Sequence, residues 1–109
     1  MPTPAEPTQR VGFVLRVKAD RVDDYIRAHS DVWPDMLDAL KDAGIRNYTI
    51  FRSGNDMFGY FETDDLARAE AYLAAQEVNS RWQDAMADLL EERVADRGPT
   101  PLEQIFRLS

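Results

Sequence analysis

Residues 45–63 read IRNYTIFRSGNDMFGYFET, and this stretch decides which folds are open to the chain. Two runs rich in β-branched and aromatic residues, 45–51 and 57–63, flank the polar, glycine-containing segment RSGND at 52–56. A segment of this kind between two apolar runs is typical of a β-hairpin. The sequence therefore predicts two adjacent antiparallel strands in the middle of the chain.

Two further strands are predicted towards the ends of the chain. Apolar residues alternate in VGFVLRVK (11–18), which is the pattern of a strand with one buried face. The segment ADRGPTP (95–101) breaks helicity, and EQIFRLS (103–109) is predicted to close the chain as a short strand.

A broken helix is predicted between the first strand and the hairpin. Asp20 suits the N-cap of a helix over RVDDYIRAHS (21–30). Pro34 disfavours helical geometry at the preceding residue but fits the first turn of a second helical segment. Gly44 stands where a left-handed residue would end that segment.

A second broken helix is predicted after the hairpin. Asp64 can cap a helix over LARAEAYLAA (66–75), and Asn79 or Ser80 can start another over SRWQDAMADLLEERV (80–94). Its apolar side carries Trp82, Met86, Leu89 and Leu90.

The order βαββαβ predicts an α+β fold of the ferredoxin-like kind, an antiparallel sheet with helices on one face. One domain is expected over residues 11–109, after a flexible, proline-rich tail at 1–10. The opposite face of the sheet is predicted to be too apolar for contact with water. Val14 lies on that face of the first strand, and the third strand, MFGYF (57–61), is apolar on both faces. We therefore predict a homodimer that closes a dimeric α/β barrel.

Composition excludes several classes of function. The net charge is −7 and no basic patch is concentrated, so nucleic acid and anionic membranes are poor partners. There is no cysteine and one histidine, which argues against disulfides, thiolate catalysis and zinc or copper sites. No glycine-rich loop cradles a phosphate, so no cofactor is expected. Composition therefore predicts a cytoplasmic protein whose partner is a neutral or cationic small molecule or another protein.

Tyr25 and His29 are four residues apart, so they project from one face of the predicted helix. An imidazole can exchange a proton near neutral pH, and a neighbouring phenol can hold a hydroxyl group. Tyr48 and Trp82 could add flat surfaces with one polar edge, which suit a sugar. The pattern alone leaves a plainer alternative open, in which His29 ends a helix and the aromatics pack the core.

The stretch YIRAHSDVWPDMLDALKDAGIRNYTIF (25–51) resembles the L-rhamnose mutarotase family. That family has Y-x-x-x-H-x-x-x-W-P-[ED] followed by G-x-x-N-Y-x-I. NSRWQDAM (79–86) and LEQIFRL (102–108) are also similar to it, and the resemblance spans about residues 10 to 109.

The resemblance implies the same dimeric barrel and assigns roles. It makes His29 the proton donor, and Tyr25 and Tyr48 sugar contacts. We further predict that Tyr25 is catalytic, because it or a water that it orients can assist at the anomeric oxygen O1 while His29 protonates the ring oxygen O5. Where the family has a Trp-Trp pair, this chain has Trp82 followed by Gln83, which offers hydrogen bonds in place of a stacking surface. Trp82 and Gln83 are accordingly predicted to bind the substrate.

The implied reaction interconverts the α and β anomers of L-rhamnose, as part of L-rhamnose metabolism, by acid–base ring opening and closure. It needs no metal, nucleotide or redox group. Three alternatives stay open: a mutarotase for another 6-deoxy sugar such as L-fucose, a cofactor-free monooxygenase on the same barrel, and a non-catalytic module that binds a small metabolite.

Overall fold

A computed structural model describes residues 8–91 and 98–108. Along the chain lie β1 (Gln9–Arg16), a 3-10 turn (Ala19–Arg21), α1 (Val22–Ser30), α2 (Pro34–Asp42), β2 (Arg46–Ser53), β3 (Asp56–Thr63), α3 (Leu66–Ala74), α4 (Glu77–Ala87) and β4 (Thr100–Leu102). The predicted tail is described only from Thr8 onwards.

The four strands form one antiparallel sheet in the order β2-β3-β1-β4. β2 and β3 are the predicted hairpin, joined at Gly54, which has a left-handed φ of 60°. β1 pairs with β3 along its whole length, so the second half of the chain folds back onto the first. This mixed α+β arrangement confirms the predicted fold class.

The predicted helix interruptions are confirmed, whereas three predicted helix starts are wrong. Pro34 opens α2, and Gly44 follows it with φ 87°. Asp20 does not cap α1, because the chain first makes a 3-10 turn and α1 begins after Arg21 without a side-chain cap. The cap of α3 is Asp65, which accepts a hydrogen bond from the Arg68 amide at 3.1 Å.

The other corrections concern Asp64, α4 and the last strand. Asp64 instead pairs with Arg46 at 2.8 Å. α4 begins at Glu77, earlier than Asn79 or Ser80, because helical geometry resumes directly after Gln76. The closing strand is Thr100–Leu102, and the segment predicted for it, 103–109, has no strand pairing over residues 103–108.

The core lies between the helices and one face of the sheet, which we call the inner face. Val17 and Met57 are fully buried there against residues of α1, α2 and α4. A second cluster, around Ala69, joins α3 to the end of α2. The inner face is also the face that carries Phe13, Ile50 and Phe61, because strand residues alternate between faces.

No helix of the described residues covers the outer face of the sheet. Phe51, Phe58 and Val14 are direct cross-strand partners and form an apolar row there, and Leu102 contacts the neighbouring Gly12 position. Phe51 is 67% exposed and Phe58 40% exposed. In the described part of the chain, no helix is long and apolar enough to cross a membrane.

Candidate functional site

Helix α1 brings Tyr25 and His29 into direct contact, as their spacing predicts. Their ring centroids are 4.2 Å apart, with 31° between the ring planes. Tyr25 is 5% exposed and belongs to the core cluster, and His29 lies one turn later at partial burial. The imidazole of His29 therefore packs against the ring of a buried tyrosine.

One hydrogen bond determines how His29 carries its proton. Its Nδ1 lies 2.9 Å from the backbone carbonyl oxygen of Tyr25. A carbonyl oxygen only accepts, so Nδ1 holds the hydrogen and donates it, and in the neutral ring Nε2 keeps a free lone pair. Burial lowers the pKa of His29 below its usual value, and this hydrogen bond only partly opposes the shift. At neutral pH the ring is therefore neutral, with Nε2 ready to accept a proton.

Helix α4 places Trp82 beside His29. Their ring centroids are 5.4 Å apart at 80°, and Trp33 meets Trp82 edge-on at 5.1 Å. We call Tyr25, His29, Trp33 and Trp82 the helix aromatic cluster. Arg81 lies 5.8 Å from the Trp33 ring centroid and pairs with Asp35 at 3.3 Å, which ties α4 to the start of α2.

Strand β2 presents Tyr48 on the inner face of the sheet. Its ring lies 6.2 Å from Phe13, edge-on, and 5.4 Å from Phe61. We call Phe13, Tyr48 and Phe61 the sheet aromatic cluster. Burial of part of the ring raises the pKa of Tyr48 to about 12, although the residue as a whole is 42% exposed.

Both clusters lie on the inner side of the sheet, which the helices cover. Burial raises the pKa of the Tyr25 phenol, and the Tyr48 phenol raises it further through their mutual charge interaction. Both phenols are thus protonated hydrogen-bond donors over the physiological pH range.

The sequence just before Tyr48 explains its orientation. Asn47 has a left-handed φ of 53°, and the pairing register between β2 and β3 shifts between Arg46 and Thr49. Asparagine is one of the few side chains that tolerate this geometry, and its amide is held by Glu62 at 3.1 Å. A bulge of this kind re-aims the next side chain, here the tyrosine.

Three polar atoms of the helix aromatic cluster have no hydrogen-bond partner among the described residues. They are Tyr25 Oη, His29 Nε2 and Trp82 Nε1. Among the described residues, no side-chain polar atom is both buried and unpaired. The three polar atoms belong to rings that contact one another. Convergent polar groups on an aromatic wall are typical of a small-molecule site.

Gln83 lies apart from this arrangement. It is exposed on α4, and its amide nitrogen is 3.4 Å from Asn79 Oδ1, one turn earlier. The structure brings Tyr25, His29 and Trp82 together and presents Tyr48 on the inner face of the sheet, but it leaves Gln83 exposed beside Asn79. A sugar contact by Gln83 stays a prediction.

Sequence reasoning did not assign Phe13, Phe61 or Asn47 to the site. The Trp-Pro step at 33–34 marks a change in chain direction beside the predicted pocket, and Trp33 contacts Trp82 there. The contact of Phe13 with Tyr48 depends on pairing between β1, β3 and β2, which local sequence does not encode.

The site residues offer no metal-binding set. Within residues 8–91 and 98–108, no three histidine or carboxylate side chains lie close enough together to hold a metal ion. The chemistry that the arrangement supports directly is proton transfer at Nε2, with hydrogen bonds from two phenols and an indole.

Comparisons with known proteins identify the family. A family model described as L-rhamnose mutarotase matches residues 10–108. The chain is 39% identical over 103 residues to the L-rhamnose mutarotase of Pectobacterium carotovorum, covering 91% of this chain and 97% of that one. It is 32% identical over 104 residues to the protein of the same name from Oceanobacillus iheyensis, covering 92% and 98%.

A solved structure gives the same result. The crystal structure of an L-rhamnose mutarotase from Formosa agariphila superposes with a TM-score of 0.76 at 27% identity, covering 93% of this chain and 99% of that one. The family match and both relatives extend over nearly the whole chain, including the helix and sheet aromatic clusters. The chain therefore belongs to the L-rhamnose mutarotase family.

Proposed function

We propose that this protein is an L-rhamnose mutarotase, which interconverts the α and β anomers of the sugar by opening and closing its ring. The observation that carries the proposal is the geometry of His29. Its Nδ1 is engaged by the Tyr25 carbonyl, and its free Nε2 lies beside the phenol and indole groups of an aromatic site. Family membership supplies the substrate class.

The protonation state of His29 suggests how one imidazole serves both halves of the reaction. A neutral ring must accept a proton at Nε2 before it can donate one there. The anomeric hydroxyl O1 supplies that proton, and the C1–O5 bond breaks as the C1=O1 double bond forms. The bonding electrons pass to O5, which takes the proton back from Nε2. Rotation about C1–C2 and the reverse sequence then give the other anomer.

The surrounding residues have binding roles in this proposal. Tyr25 stays protonated because its pKa is raised, and it donates a hydrogen bond to O1 as the aldehyde develops. Tyr48 holds a hydroxyl group from the opposite side, and Trp82 offers a flat face with one N–H donor. Fixing the sugar so that O1 and O5 both face Nε2 contributes to the rate beyond the proton transfer itself.

We also propose that the enzyme is a homodimer. The row formed by Val14, Phe51 and Phe58 on the outer face is an apolar surface that no helix among the described residues covers. Two such faces packed against each other would remove both from water and produce the predicted α/β barrel. The predicted cytoplasmic location is part of the same proposal, and cell fractionation tests it.

Exchange NMR on equilibrated L-rhamnose tests the activity, because magnetisation transfer between the two anomeric protons measures their interconversion directly. We expect the enzyme to accelerate exchange of L-rhamnose, and the same measurement on L-fucose reports on sugar preference. Saturation-transfer signals without accelerated exchange for either sugar would support a binding module and contradict the proposal. Sedimentation velocity on the same sample tests the dimer separately.

A further inference from the structure

The pairing of β2 with β3 contains one extra residue, and it lies at Tyr48. Residue 46 is the partner of residue 62, and residue 49 is the partner of residue 60. Between these pairs β2 has two residues, Asn47 and Tyr48, whereas β3 has one, Phe61. Two residues that oppose a single residue on the neighbouring strand form a β-bulge.

The bulge decides on which face of the sheet Tyr48 lies. Directly opposed residues share a face, and successive residues of a strand alternate between faces. If the register at Arg46 continued without a bulge, Tyr48 would be the partner of Tyr60 on the outer face. With the bulge, Tyr48 packs on the ring of Phe61 at 5.4 Å on the inner face. The position of Tyr48 beneath the helices therefore depends on this one extra residue.

Asn47 has the backbone geometry that the bulge requires. Its φ is 53°, and among the described residues it is the only non-glycine residue with a positive φ. Asparagine and aspartate adopt this left-handed geometry more readily than other side chains, and β-branched residues resist it most. The Thr49 hydroxyl also donates a hydrogen bond to the Asn47 carbonyl oxygen at 3.3 Å.

A carboxylate on the outer face holds the Asn47 side chain. Asn47 Nδ2 donates to Glu62 Oε1 at 3.1 Å, and Tyr60 Oη donates to Glu62 Oε2 at 2.9 Å. Each carboxylate oxygen thus accepts one hydrogen bond from a different strand, which restrains the plane of the carboxylate. Tyr60 and Glu62 are both partly buried, and both line a groove on the outer face.

The charges around Glu62 favour this arrangement. Hydrogen bonds from Asn47 and then Tyr60 lower the pKa of Glu62, and the nearby charges of Arg10 and Arg46 lower it further. The carboxyl group is therefore ionised at neutral pH and acts only as an acceptor. The two arginines hydrogen bond elsewhere, to Thr8 and Asp64. The Glu62 oxygens are left to Asn47 and Tyr60.

We infer that Glu62, on the outer face of the sheet, is a positioning residue for Tyr48 on the inner face, and that it acts through Asn47 at the bulge. This inference rests on the proposed function, in which Tyr48 contacts the sugar, and deepens it. Glu62 itself lies on the far side of the sheet from the helix aromatic cluster. Its loss would free the bulge and move the Tyr48 hydroxyl, whereas His29 on α1 would stay in place.

Exchanging the donor and the acceptor tests the contact. Asn47→Asp keeps a side chain that tolerates the left-handed φ, but it places a second carboxylate against Glu62, and the two repel. We expect the KM for L-rhamnose to rise by about 10-fold, the factor that corresponds to one lost hydrogen bond. The change in kcat should be smaller, because His29 is not affected.

The double variant Asn47→Asp, Glu62→Gln restores the contact in reverse. The glutamine amide can donate to the new aspartate, and its carbonyl oxygen can still accept from Tyr60. We expect most of the wild-type KM to return. A general loss of stability at position 47 would not be repaired in this way.

The position of the Tyr48 ring gives a readout that does not depend on activity. Nuclear Overhauser effects between the Tyr48 and Phe61 rings should be present in the wild type and in the double variant. They should weaken in Asn47→Asp. In Asn47→Val, whose β-branched side chain opposes the left-handed φ, they should be lost.

Asn55→Asp is the matched control. The Asn55 amide donates to the Val17 carbonyl oxygen at 2.9 Å, at the turn end of the same hairpin and away from the bulge. The same substitution there removes a hydrogen bond of the same kind. We expect it to lower the free energy of unfolding without raising the KM for L-rhamnose.

The outcomes separate this inference from the proposed function. A raised KM in Asn47→Asp that returns in the double variant, with an unchanged KM in Asn55→Asp, supports the positioning role. A wild-type KM in Asn47→Asp, or a KM equally raised in the double variant, overturns it. If the wild-type protein does not accelerate anomer exchange, the proposed function fails, and the contacts between the Tyr48 and Phe61 rings still test the role of Glu62.

Discussion

The Nδ1 atom of His29 lies 2.9 Å from the backbone carbonyl oxygen of Tyr25, one helical turn earlier. This contact assigns the hydrogen of the neutral ring to Nδ1 and the lone pair to Nε2. A backbone carbonyl is an unusually durable orienting group, because no side-chain substitution removes it. The backbone of α1 therefore determines the tautomer of His29, the proposed catalytic residue.

Replacing His29 by glutamine should lower the rate of anomer exchange by roughly 10²–10⁴-fold, the usual contribution of a positioned acid–base group. Glutamine keeps a comparable length and hydrogen-bonding capacity but cannot cycle a proton. Exchange NMR on L-rhamnose measures the effect, and circular dichroism checks the fold.

Ser30→Ala is the matched control for that variant. The Ser30 hydroxyl makes the same kind of bond, to the Ile26 carbonyl at 3.0 Å, but on the exposed side of α1. Its removal should leave exchange unchanged. Wild-type rates in the His29→Gln variant as well would remove His29 from the mechanism.

The pH dependence should show a single acid limb, centred below pH 6.5. Burial lowers the pKa of His29 from its ordinary value of about 6.5, and the neutral ring is the active form. The rate should therefore be flat at neutral pH and fall only as the pH drops through the lowered pKa. A rate constant measured across this range checks it, and a limb centred above 6.5 would contradict the assignment.

The free energy of unfolding should also depend on the protonation of His29. Between the lowered native pKa of His29 and about 6.5, the unfolded chain binds more protons than the native one. The contribution from the buried neutral ring is thus complete above about pH 6.5 and is lost as the pH falls towards the native pKa. Urea unfolding of wild type and His29→Gln should differ in this window, with the slope against pH smaller in the variant.

Gly59→Ala should destabilise the protein by about 1–3 kcal/mol, the usual cost of overpacking a core. A Cβ at this position would lie 2.1 Å from the Phe13 ring, which rests on the backbone of β3 and holds Tyr48 by edge contact. Urea unfolding measures the loss. Gly12→Ala is the control, since its nearest neighbour would be Leu102 Cβ at an ordinary 3.6 Å. Equal stability of both variants would show that the Phe13 ring has room to move.

Gln83→Ala should leave the KM for L-rhamnose unchanged if the side chain stays beside Asn79, where the structure places it. Trp82→Phe, which removes only the indole N–H and part of the ring, should raise the KM. Steady-state kinetics on both variants shows whether Gln83 or Trp82 contacts the sugar. A raised KM in Gln83→Ala would mean that its amide leaves Asn79 to contact the sugar.

Local pattern was enough for the strand hairpin, the helix break at Pro34 and the turn at Gly44. Each depends on the conformational range of a few residues, which is the same in any context. Helix starts were less predictable. Asp64 and Asp65 are adjacent and equally suitable as N-caps. In the structure Asp64 pairs with Arg46, and Asp65 caps α3.

The sequence by itself determined the α+β order of elements and the Tyr25–His29 pair, because both follow from periodicities of two and 3.6 residues. Only the tertiary structure decided that Trp82 and Trp33 complete one cluster, that Tyr48 packs with Phe13 and Phe61 on the inner face of the sheet, and that Gln83 lies outside both clusters. Those relationships join residues dozens of positions apart, and they arise from strand pairing and helix packing. Neither strand pairing nor helix packing can be recognised from a short stretch of sequence.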